Sequence, residues 1–599
     1  MKEFIIEGGN HRYLSELKEF QDGLPVGVIN KTKPDVGGTY TAANCDSNYI
    51  IVCPFRDLVD SICADTNNKY PVLKVYQGVK ESDFTKYMQS TTVHKIAVTY
   101  DSFSSKVIKW ISKYDNTNNW KVLIDEYHLI LEDMDYREDA IVNLIESVHS
   151  FKHYSYLSAT PINVDLEIDE FKKLPHYTVT WNNVRNISVQ RINCSQLTRS
   201  VLAVLNSFID GTLSIGGIKV EELFVFCNSV TFIKRLLETL EVEPEDVKIC
   251  CAYNKRNVQV LNRYQIEPIT NPNKRLNFFT KKGFQGCNLF SNNGLVMVIS
   301  DGNKESTLVD ICTTMEQIAG RLRENEKYHN IFGNVMFHFY SNVKYNLTDE
   351  QFNKIMEDKM DRAEILISGY NKMDERERNV YSTTLHLDNE LVSITKEGML
   401  VNNLKIQAFK NKQLIRKQYT NDNLMLAAYR DGSGRFTPTD ELSKDSIELF
   451  TGQIKKITTF SYKSMLQDYL NTADRLLRNE YEMEFTEFRD IRYYMKESEL
   501  NTLKWSKGKI AKAIADKKML NIVFLNLYNH FGEGFVSSAD VKKYLEGEFD
   551  RLQIDLTAKA ALIKNNGIFN VEETSKRIDG KVTKGFEIGS RILNFKIYE

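Results

Sequence analysis

Short apolar runs rich in β-branched and aromatic residues recur between about residues 24 and 345, and longer polar or amphipathic stretches separate them. Runs that are apolar at nearly every position are typical of strands buried on both faces of a parallel sheet. Their alternation with helical stretches predicts an α/β architecture. The runs are VGVIN, YIIVCP, KIAVTY, KVLIDE, YSYLSAT, LFVFCN, LVMVIS and NVMFHFY.

The regular alternation of apolar runs and polar stretches is interrupted near residues 170–195. Two sheets therefore fit the length of the chain better than one. After residue 345 the pattern changes to long charged stretches such as TDEQFNKIMEDKMDRAEILISGYNKM, which predict helices, with a β-rich interlude, LVSITKEGMLVNNLKIQAF. The pattern predicts four parts. They are a first lobe (1–175), a second lobe (176–345), a mostly helical extension with a β-rich insertion (346–515) and a small C-terminal module (516–599).

The charge and the cysteine content of the chain limit the classes of protein to which it can belong. The formal net charge of the 599 residues is only -2, so any basic surface must be local. The nine cysteines form no C-x-x-C pair, which excludes a zinc ribbon or disulfide scaffold and suits a reducing compartment. The polar start predicts no signal peptide, and no run approaches eighteen apolar residues. We therefore expect a cytoplasmic protein with no membrane partner.

The segment VLIDEYHLIL (122–131) ends a predicted central strand in two carboxylates, Asp125 and Glu126. Ligands of open α/β sheets bind at this carboxyl edge. In a nucleotide hydrolase the aspartate holds Mg²⁺ and the next acid orients or deprotonates the attacking water. His128 would then couple this site to the facing domain. The alternative is a strand end with two solvated acids.

Two later segments extend this pattern. YLSATPI contains Ser158 and Thr160, and MEQIAGRLRENEK contains Gln317, Arg321 and Arg323. The order D-E-x-H, S-A-T and Q-x-x-G-R-x-R resembles that of superfamily 2 helicases and translocases. Weaker segments take the places of that superfamily's motifs Ia, Ib, IV and V, across residues 20–345. They are VCPFRDL (52–58), VTYDSF (98–103), VFCNSV (225–230) and FTKKGFQGCNL (279–289).

The resemblance implies two tandem RecA-like lobes with ATP and Mg²⁺ between them. It assigns Mg²⁺ to Thr39 and Asp125, activation of water to Glu126, and coupling between the lobes to Ser158 and Thr160. Gln317, Arg321 and Arg323 would complete the site from the second lobe, where an arginine stabilises charge on the γ-phosphate. Which arginine does so is open.

The two arginines are two positions apart, a spacing that resembles herpesvirus origin-binding helicases and related phage proteins. This implies a role in replication of a phage or mobile element, in the host cytoplasm if the gene belongs to a phage.

The phosphate loop departs from the family pattern. In GVINKTKPDVGGTYTAA (27–43), Gly37 and Thr39 align with the second glycine and the magnesium-binding hydroxyl of G-x-x-x-x-G-K-[ST], but Gly38 occupies the lysine position. Lys31 or Lys33 could fold back to supply the missing charge. Alternatively, backbone amides and the helix dipole bind the nucleotide and turnover is slow. The third possibility is an inactive site.

The resemblance also implies a nucleic-acid strand across both lobes, bound through its phosphates. The candidate contacts are Arg56, Thr99, Tyr100, Asn228, Thr280 and Lys281. The tail predicts two helices and a hairpin turning at Asp579–Gly580, an order that resembles a winged helix. Its basic residues predict phosphate contacts, although winged helices also dock proteins. They are Lys559, Lys564, Lys576, Arg577, Lys581 and Lys584, with Lys504, Lys507, Lys509, Lys512, Lys517 and Lys518 just upstream.

Together these features predict an ATP-dependent DNA helicase or translocase that works with replication proteins. The rival hypothesis is a nucleic-acid-binding scaffold or replication-initiation factor whose motor has lost turnover. An RNA motor also stays open, because contacts to the backbone do not distinguish the sugar. The oligomeric state is not predicted.

Overall fold

A computed structural model describes most of the chain, which divides into two compact units, Met1–Thr459 and Phe460–Glu599. The side chains of Tyr136, Ser464, Asp468 and Asn565 are not described. The described residues are 2–285, 288–344, 346–378, 387, 390–395, 397–432, 434–438, 462–472, 478, 481–482, 485, 487–552, 554, 556–578 and 580–592.

The first lobe is an eight-stranded sheet in which every pair of neighbouring strands is parallel. Its spatial order is β1-β8-β2-β7-β6-β3-β5-β4. The strands are β1 (Glu3–Gly9), β2 (Gly27–Asn30), β3 (Asn48–Cys53), β4 (Val72–Val75), β5 (Lys95–Thr99), β6 (Trp120–Asp125), β7 (His153–Ser158) and β8 (His176–Trp181).

Helices cover both faces of this sheet, as continuous apolar strands require. Successive residues of β3 enter opposite cores: Ile50 and Val52 pack on one face, and Tyr49 and Ile51 on the other. The helices are Gly38–Asn44, Arg56–Ala64, Glu81–Met88, Tyr100–Ser102, Phe103–Val107 (π-helical), Ile108–Tyr114, Leu129–Glu132, Met134–Val148 and Asp169–Lys172, and short 3₁₀ turns cover Leu14–Glu16, Lys18–Phe20, Thr117–Asn119 and Val164–Leu166.

The first sheet extends beyond the predicted boundary at residue 175. Strand β8 pairs with β1 and β2, so the first lobe includes residues 176–181. Strand β1 was not predicted, because it lies at the edge of the sheet and exposes most of its residues. An edge strand lacks the continuous apolar run that identifies a central one.

The second lobe is a seven-stranded parallel sheet in the order β13-β14-β12-β15-β16-β9-β19. Its strands, with the small hairpin β10–β11, are β9 (Ile187–Asn193), β10 (Ser214–Ile215), β11 (Ile218–Lys219), β12 (Glu222–Phe226), β13 (Val247–Cys250), β14 (Leu276–Phe279), β15 (Gly294–Ser300), β16 (Val335–Tyr340) and β19 (Phe436–Pro438). Its helices are Leu197–Ile209, Val230–Thr239, Lys255–Leu261, Lys281–Phe284 and Thr314–Ala319, with 3₁₀ turns at Pro244–Asp246 and Glu305–Thr307. Two tandem parallel-sheet lobes confirm the predicted RecA-like fold class.

The extension that follows contains helices Asp349–Asn371, Asn403–Gln418 and Asp422–Asp431, and the hairpin β17 (Val392–Thr395) and β18 (Gly398–Val401). The predicted β-rich interlude is therefore a hairpin followed by a helix, which Asn402 caps through its side chain. Helix Asn403–Gln418 spans both lobes, since Leu404 and Ala408 join the first lobe's core and Ile415 packs on the second's. The chain then returns to the second sheet as β19, at its edge beside β9.

The C-terminal unit contains a three-stranded antiparallel sheet, ordered β20-β22-β21, and several helices. Its strands are β20 (Gly534–Ser537), β21 (Phe569–Ile578) and β22 (Lys581–Arg591). Its helices are Tyr462–Asn471, Glu487–Tyr494, Glu497–Thr502, Lys507–Phe531 and Ser538–Leu552. The predicted boundary at 515/516 lies inside helix Lys507–Phe531, and the second predicted helix of the tail is one 3₁₀ segment, Ala560–Asn565. Of the predicted hairpin turn, Asp579 lies outside the described residues.

None of the helices in the described part of the chain is both long and apolar enough to cross a bilayer.

Candidate functional site

The two carboxylates of the D-E-x-H segment lie at the carboxyl end of β6, and both are buried. Glu126 has a left-handed backbone, with φ of 50°, which turns the chain sharply after the strand. The Tyr100 hydroxyl donates to the carbonyl oxygens of Asp125 (2.8 Å) and Glu126 (3.3 Å), and these hydrogen bonds hold the turn in place. Thr39 donates from Oγ1 to Asp125 Oδ2 at 2.9 Å, so hydroxyl and carboxylate oxygens lie side by side.

The loop between β2 and helix Gly38–Asn44 has a constrained backbone. Gly37 has a φ of 75°, in the left-handed region that glycine tolerates. Two non-glycine residues of the loop also have a left-handed backbone, Thr32 with φ of 50° and Asp35 with φ of 67°. A β-branched residue there is strained, and Thr32 is held by a hydrogen bond from its Oγ1 to the Val179 carbonyl. Strain of this kind clusters at functional sites. A Cβ at Gly38 would lie 2.3 Å from Leu157 Cδ2, so a larger residue where the family pattern has lysine would require the Leu157 side chain to move.

The structure distinguishes the two lysines proposed to replace the missing one. Lys31 is buried with its Nζ 3.5 Å from Glu126 Oε1, and it lines the same cleft as Gly37 and Thr39. Lys33 instead donates to the backbone carbonyl of Asn183 at 3.0 Å. Burial, with the nearby charge of Arg435, lowers the pKa of Lys33. Only Lys31 places its ammonium in the acidic cluster.

The pKa values of the two carboxylates shift in opposite directions. Burial raises the pKa of Asp125, and the neighbouring charge of Glu126 adds to this against the opposing charge of Lys31. Burial also acts to raise the pKa of Glu126, but the charges of Lys31, His128 and Arg321 outweigh it and lower that pKa. Glu126 is therefore the carboxylate best held in the ionised form.

The second lobe reaches this acidic cluster through helix Thr314–Ala319 and the turn after it. Gln317 donates from Nε2 to Glu126 Oε2 (3.2 Å) and to Thr160 Oγ1 (3.0 Å). Arg321 is buried and donates to the backbone carbonyl of Gln317 (2.7 Å) and to its Oε1 (3.2 Å). At Gly320 an added Cβ would lie 3.0 Å from Pro34 of the phosphate loop, so the lobes meet closely here.

A hydrogen-bonded chain links His128 to both lobes. Its Nδ1 lies 2.8 Å from Ser158 Oγ, which is 3.5 Å from Glu126 Oε2. Its Nε2 lies 3.0 Å from the side-chain nitrogen of Gln285 in the second lobe. Gln285 was not singled out in the sequence, although it lies inside the segment FTKKGFQGCNL, because nothing local distinguishes it from a polar loop residue.

Residues of both lobes line a cleft of about 210 Å³. Its functional lining consists of Lys31, Asp35, Gly37, Gly38, Thr39, Asp125, Glu126, Asn288, Arg321 and Arg323. Arg323 NH1 contacts Asp35 Oδ1 of the opposite lobe at 2.5 Å. The cleft thus combines hard oxygen donors of the kind Mg²⁺ prefers with three cations suited to a polyphosphate.

The six predicted nucleic-acid contacts do not form one surface. Arg56 is exposed, with its guanidinium 4.1 Å from the Tyr76 ring centre, and Asn228 is half-buried. Thr99, Tyr100 and Thr280 are buried, so a strand outside the protein does not reach them in this conformation. Tyr100 has the structural role described above.

Lys281, the sixth predicted contact, joins the two lobes instead of facing outward. Its Nζ lies 3.2 Å from Glu132 Oε2 and 2.9 Å from Asp133 Oδ1 of the first lobe. Burial opposes its charge, but these two carboxylates raise its pKa. In this conformation the ammonium of Lys281 therefore forms ion pairs between the lobes.

By sequence, no known protein family and no curated protein matches this chain. Solved structures that resemble it include Mss116p bound to ssRNA and AMP-PNP (13% identity, 69% of this chain and 89% of the other, TM-score 0.35). A second is the DUF1998 helicase MrfA bound to DNA and AMPPNP (14% identity, 55% of this chain and 47% of the other, TM-score 0.36). A third is the helicase Lhr of Mycobacterium smegmatis bound to ssDNA and AMP-PNP (13% identity, 53% of this chain and 44% of the other, TM-score 0.34). The chain spans less than half the length of the last two. At such low similarity, function rests on the geometry of the site.

Proposed function

We propose that this protein is a nucleic-acid helicase or translocase driven by hydrolysis of ATP in the interlobe cleft. The observation that carries the proposal is the meeting of opposite charges across that cleft. Asp125 and Glu126 of the first lobe and Arg321 and Arg323 of the second line the same cavity, and Gln317 bonds directly to Glu126. A pair of acids facing a pair of guanidiniums suits hydrolysis of a triphosphate.

In the proposed reaction Glu126 accepts a proton from water as the water oxygen attacks the γ-phosphorus. The bond from that phosphorus to the β–γ bridging oxygen breaks, which yields ADP and inorganic phosphate. Lys31 and the two arginines stabilise the charge that develops on the phosphoryl oxygens. Lys31 thus supplies from upstream the charge that Gly38 cannot.

Thr39 and Asp125 are the residues that would hold Mg²⁺, because their oxygens are 2.9 Å apart at the start of the phosphate-loop helix. When bound, the ion neutralises charge on the β- and γ-phosphates.

Gln317 and the chain from Gln285 through His128 to Ser158 connect the second lobe to Glu126. Loss of the γ-phosphate would change this network and let the lobes separate, which converts hydrolysis into movement along a strand. DNA as the strand, and replication of a phage or mobile element as the process, are the finer part of the proposal. They are supported by the spacing of Arg321 and Arg323.

Phosphate release, measured with no nucleic acid, with single-stranded DNA and with single-stranded RNA, tests the proposal. We expect turnover stimulated by DNA more than by RNA, and loss of turnover by about 10²-fold or more in Glu126→Gln. Greater stimulation by RNA would assign the motor to RNA. No turnover under any condition would refute the motor.

The second candidate is a nucleic-acid-binding scaffold without turnover, favoured by the glycine at the lysine position. It predicts that the chain binds nucleic acid equally well with and without ATP and that Glu126→Gln changes nothing. Fluorescence anisotropy of a labelled strand, recorded without nucleotide, with ATP and with AMP-PNP, separates the two candidates.

A further inference from the structure

A buried ion pair lies beneath the helix that carries the second lobe's catalytic groups. Arg435 NH1 lies 3.0 Å from Glu316 Oε2, and the two side chains are 6% and 2% exposed. Charged residues are rarely buried this completely unless they are paired, and the ion pair offsets part of the cost of burying both charges.

Glu316 immediately precedes Gln317 in helix Thr314–Ala319. Gln317 contacts Glu126 and Thr160, and Arg321 donates both to the backbone and to the side chain of Gln317. The helix is only six residues long, less than two turns, so its own hydrogen bonds hold it weakly. Its orientation therefore depends on tertiary contacts.

Arg435 comes from outside the helicase-like segment of the chain. The backbone carbonyl of Arg435 accepts from Ile187 N at 2.8 Å, and β19 continues this pairing along β9. The next residue, Phe436, joins the buried cluster that contains Met315 and Ile318 of the same short helix. The return of the chain to the second sheet thus places the charge of Arg435 and the ring of Phe436 against helix Thr314–Ala319.

We propose that Arg435 is a positioning residue for the reaction: its ion pair with Glu316 sets the orientation of helix Thr314–Ala319 and so of Gln317 and Arg321. This inference rests on the proposed function for its catalytic consequence. The extension after residue 345 is then part of the motor. A displacement of about 1 Å in a catalytic group costs up to about 10²-fold in rate, so loss of the pair acts on catalysis without removing a reacting group.

The variant Arg435→Met keeps the apolar stem of the side chain but removes the guanidinium that pairs with the buried Glu316. The double variant Glu316→Gln/Arg435→Met removes both charges, which is often tolerated where removal of one is not. The matched control is Arg263→Met, also in the second lobe, whose ion pair with Glu243 is 3.8 Å long and largely exposed. Exposed pairs contribute little.

Two measurements distinguish positioning from general stability. Calorimetric titration with ADP plus aluminium fluoride, an analogue of the phosphoryl group in transfer, gives affinity and stoichiometry separately. We expect Arg435→Met to lose about 10–100-fold in affinity for this analogue at full stoichiometry, with ADP affinity nearly unchanged. We expect the double variant to recover most of the loss and Arg263→Met to match the native chain. Reduced stoichiometry with unchanged affinity would mean that Arg435 only supports folding, and would overturn the proposal.

Hydrogen exchange by mass spectrometry tests the positioning itself, independently of any nucleotide. In Arg435→Met we expect faster exchange in residues 314–323 and unchanged exchange in helix Val230–Thr239 of the same lobe. If the substitution changes exchange by the same amount in both regions, or in neither, the inference is overturned even if the native chain hydrolyses ATP. If the native chain binds no nucleotide, the proposed function fails while this exchange result still decides whether Arg435 orients the helix.

Discussion

Replacing Lys31 tests the most unusual feature of the site, a lysine that precedes the phosphate-loop glycines. At 3.5 Å and an effective dielectric constant of about 20, the attraction between Lys31 and Glu126 amounts to about 5 kcal/mol before desolvation of both ions is subtracted. Lys31→Met removes this charge and leaves Glu126 buried. Loss of one charged donor from such a site typically lowers the rate by about 10²–10³-fold.

Lys33→Met is the matched control, because it makes the same change two residues further along. Lys33 donates to the Asn183 carbonyl and does not line the cleft. Phosphate release at saturating ATP and single-stranded nucleic acid is the assay, and we expect kcat of Lys33→Met to stay within about threefold of native.

Titration of ADP binding reports the folded fraction, so that lost stability is not mistaken for lost catalysis. An active Lys31→Met, or equal loss in both variants, would refute the assignment. An active Lys31→Met would show that the phosphates do not need this charge.

The other predictions concern groups that the reaction does not use directly. Tyr100→Phe removes the hydroxyl that holds the Asp125 carbonyl, so we expect stability to fall by about 1 kcal/mol in urea denaturation. Its affinity for single-stranded nucleic acid should not change, and a weakened affinity would restore the role first predicted for Tyr100. His338 is buried in the second lobe, and burial, with the charge of Arg191, lowers its pKa to about 3. Since this value lies below the unfolded pKa of about 6.5, its contribution to stability is present above pH 6.5 and is lost as pH falls, by about 1.4 kcal/mol at pH 5.5. The urea midpoint of His338→Gln should therefore drop less between pH 7.5 and 5.5 than that of the native chain, and identical drops would contradict the burial argument.

The central strands were predictable because each is buried on both faces. β3, β5, β6 and β15 consist almost wholly of buried residues, and such runs stand out in a sequence. The edge strand β1 exposes most of its residues and β19 has only three residues, so neither carried a comparable signal. Whether a three-residue segment joins a sheet is decided by the partner strand, which lies far away in the chain.

The acids and arginines of the site were predictable because their motifs are local. Asp125 follows an apolar strand directly, and Arg321 and Arg323 share one short segment. The role of Tyr100 was not predictable. A tyrosine after a strand is equally compatible with a surface contact and a buried brace, and only packing against Asp125 decides between them.

By itself, the sequence determined the two-lobed parallel architecture and the identity of the charged groups at its strand ends, because burial periodicity and short motifs are properties of neighbouring residues. The tertiary structure alone decided which lysine enters the acidic cluster, which second-lobe glutamine contacts His128, and that Arg435 pairs with Glu316 across 119 positions. Those choices depend on distances between atoms remote in the chain, and on a balance between desolvation and ion pairing that only a folded interior creates.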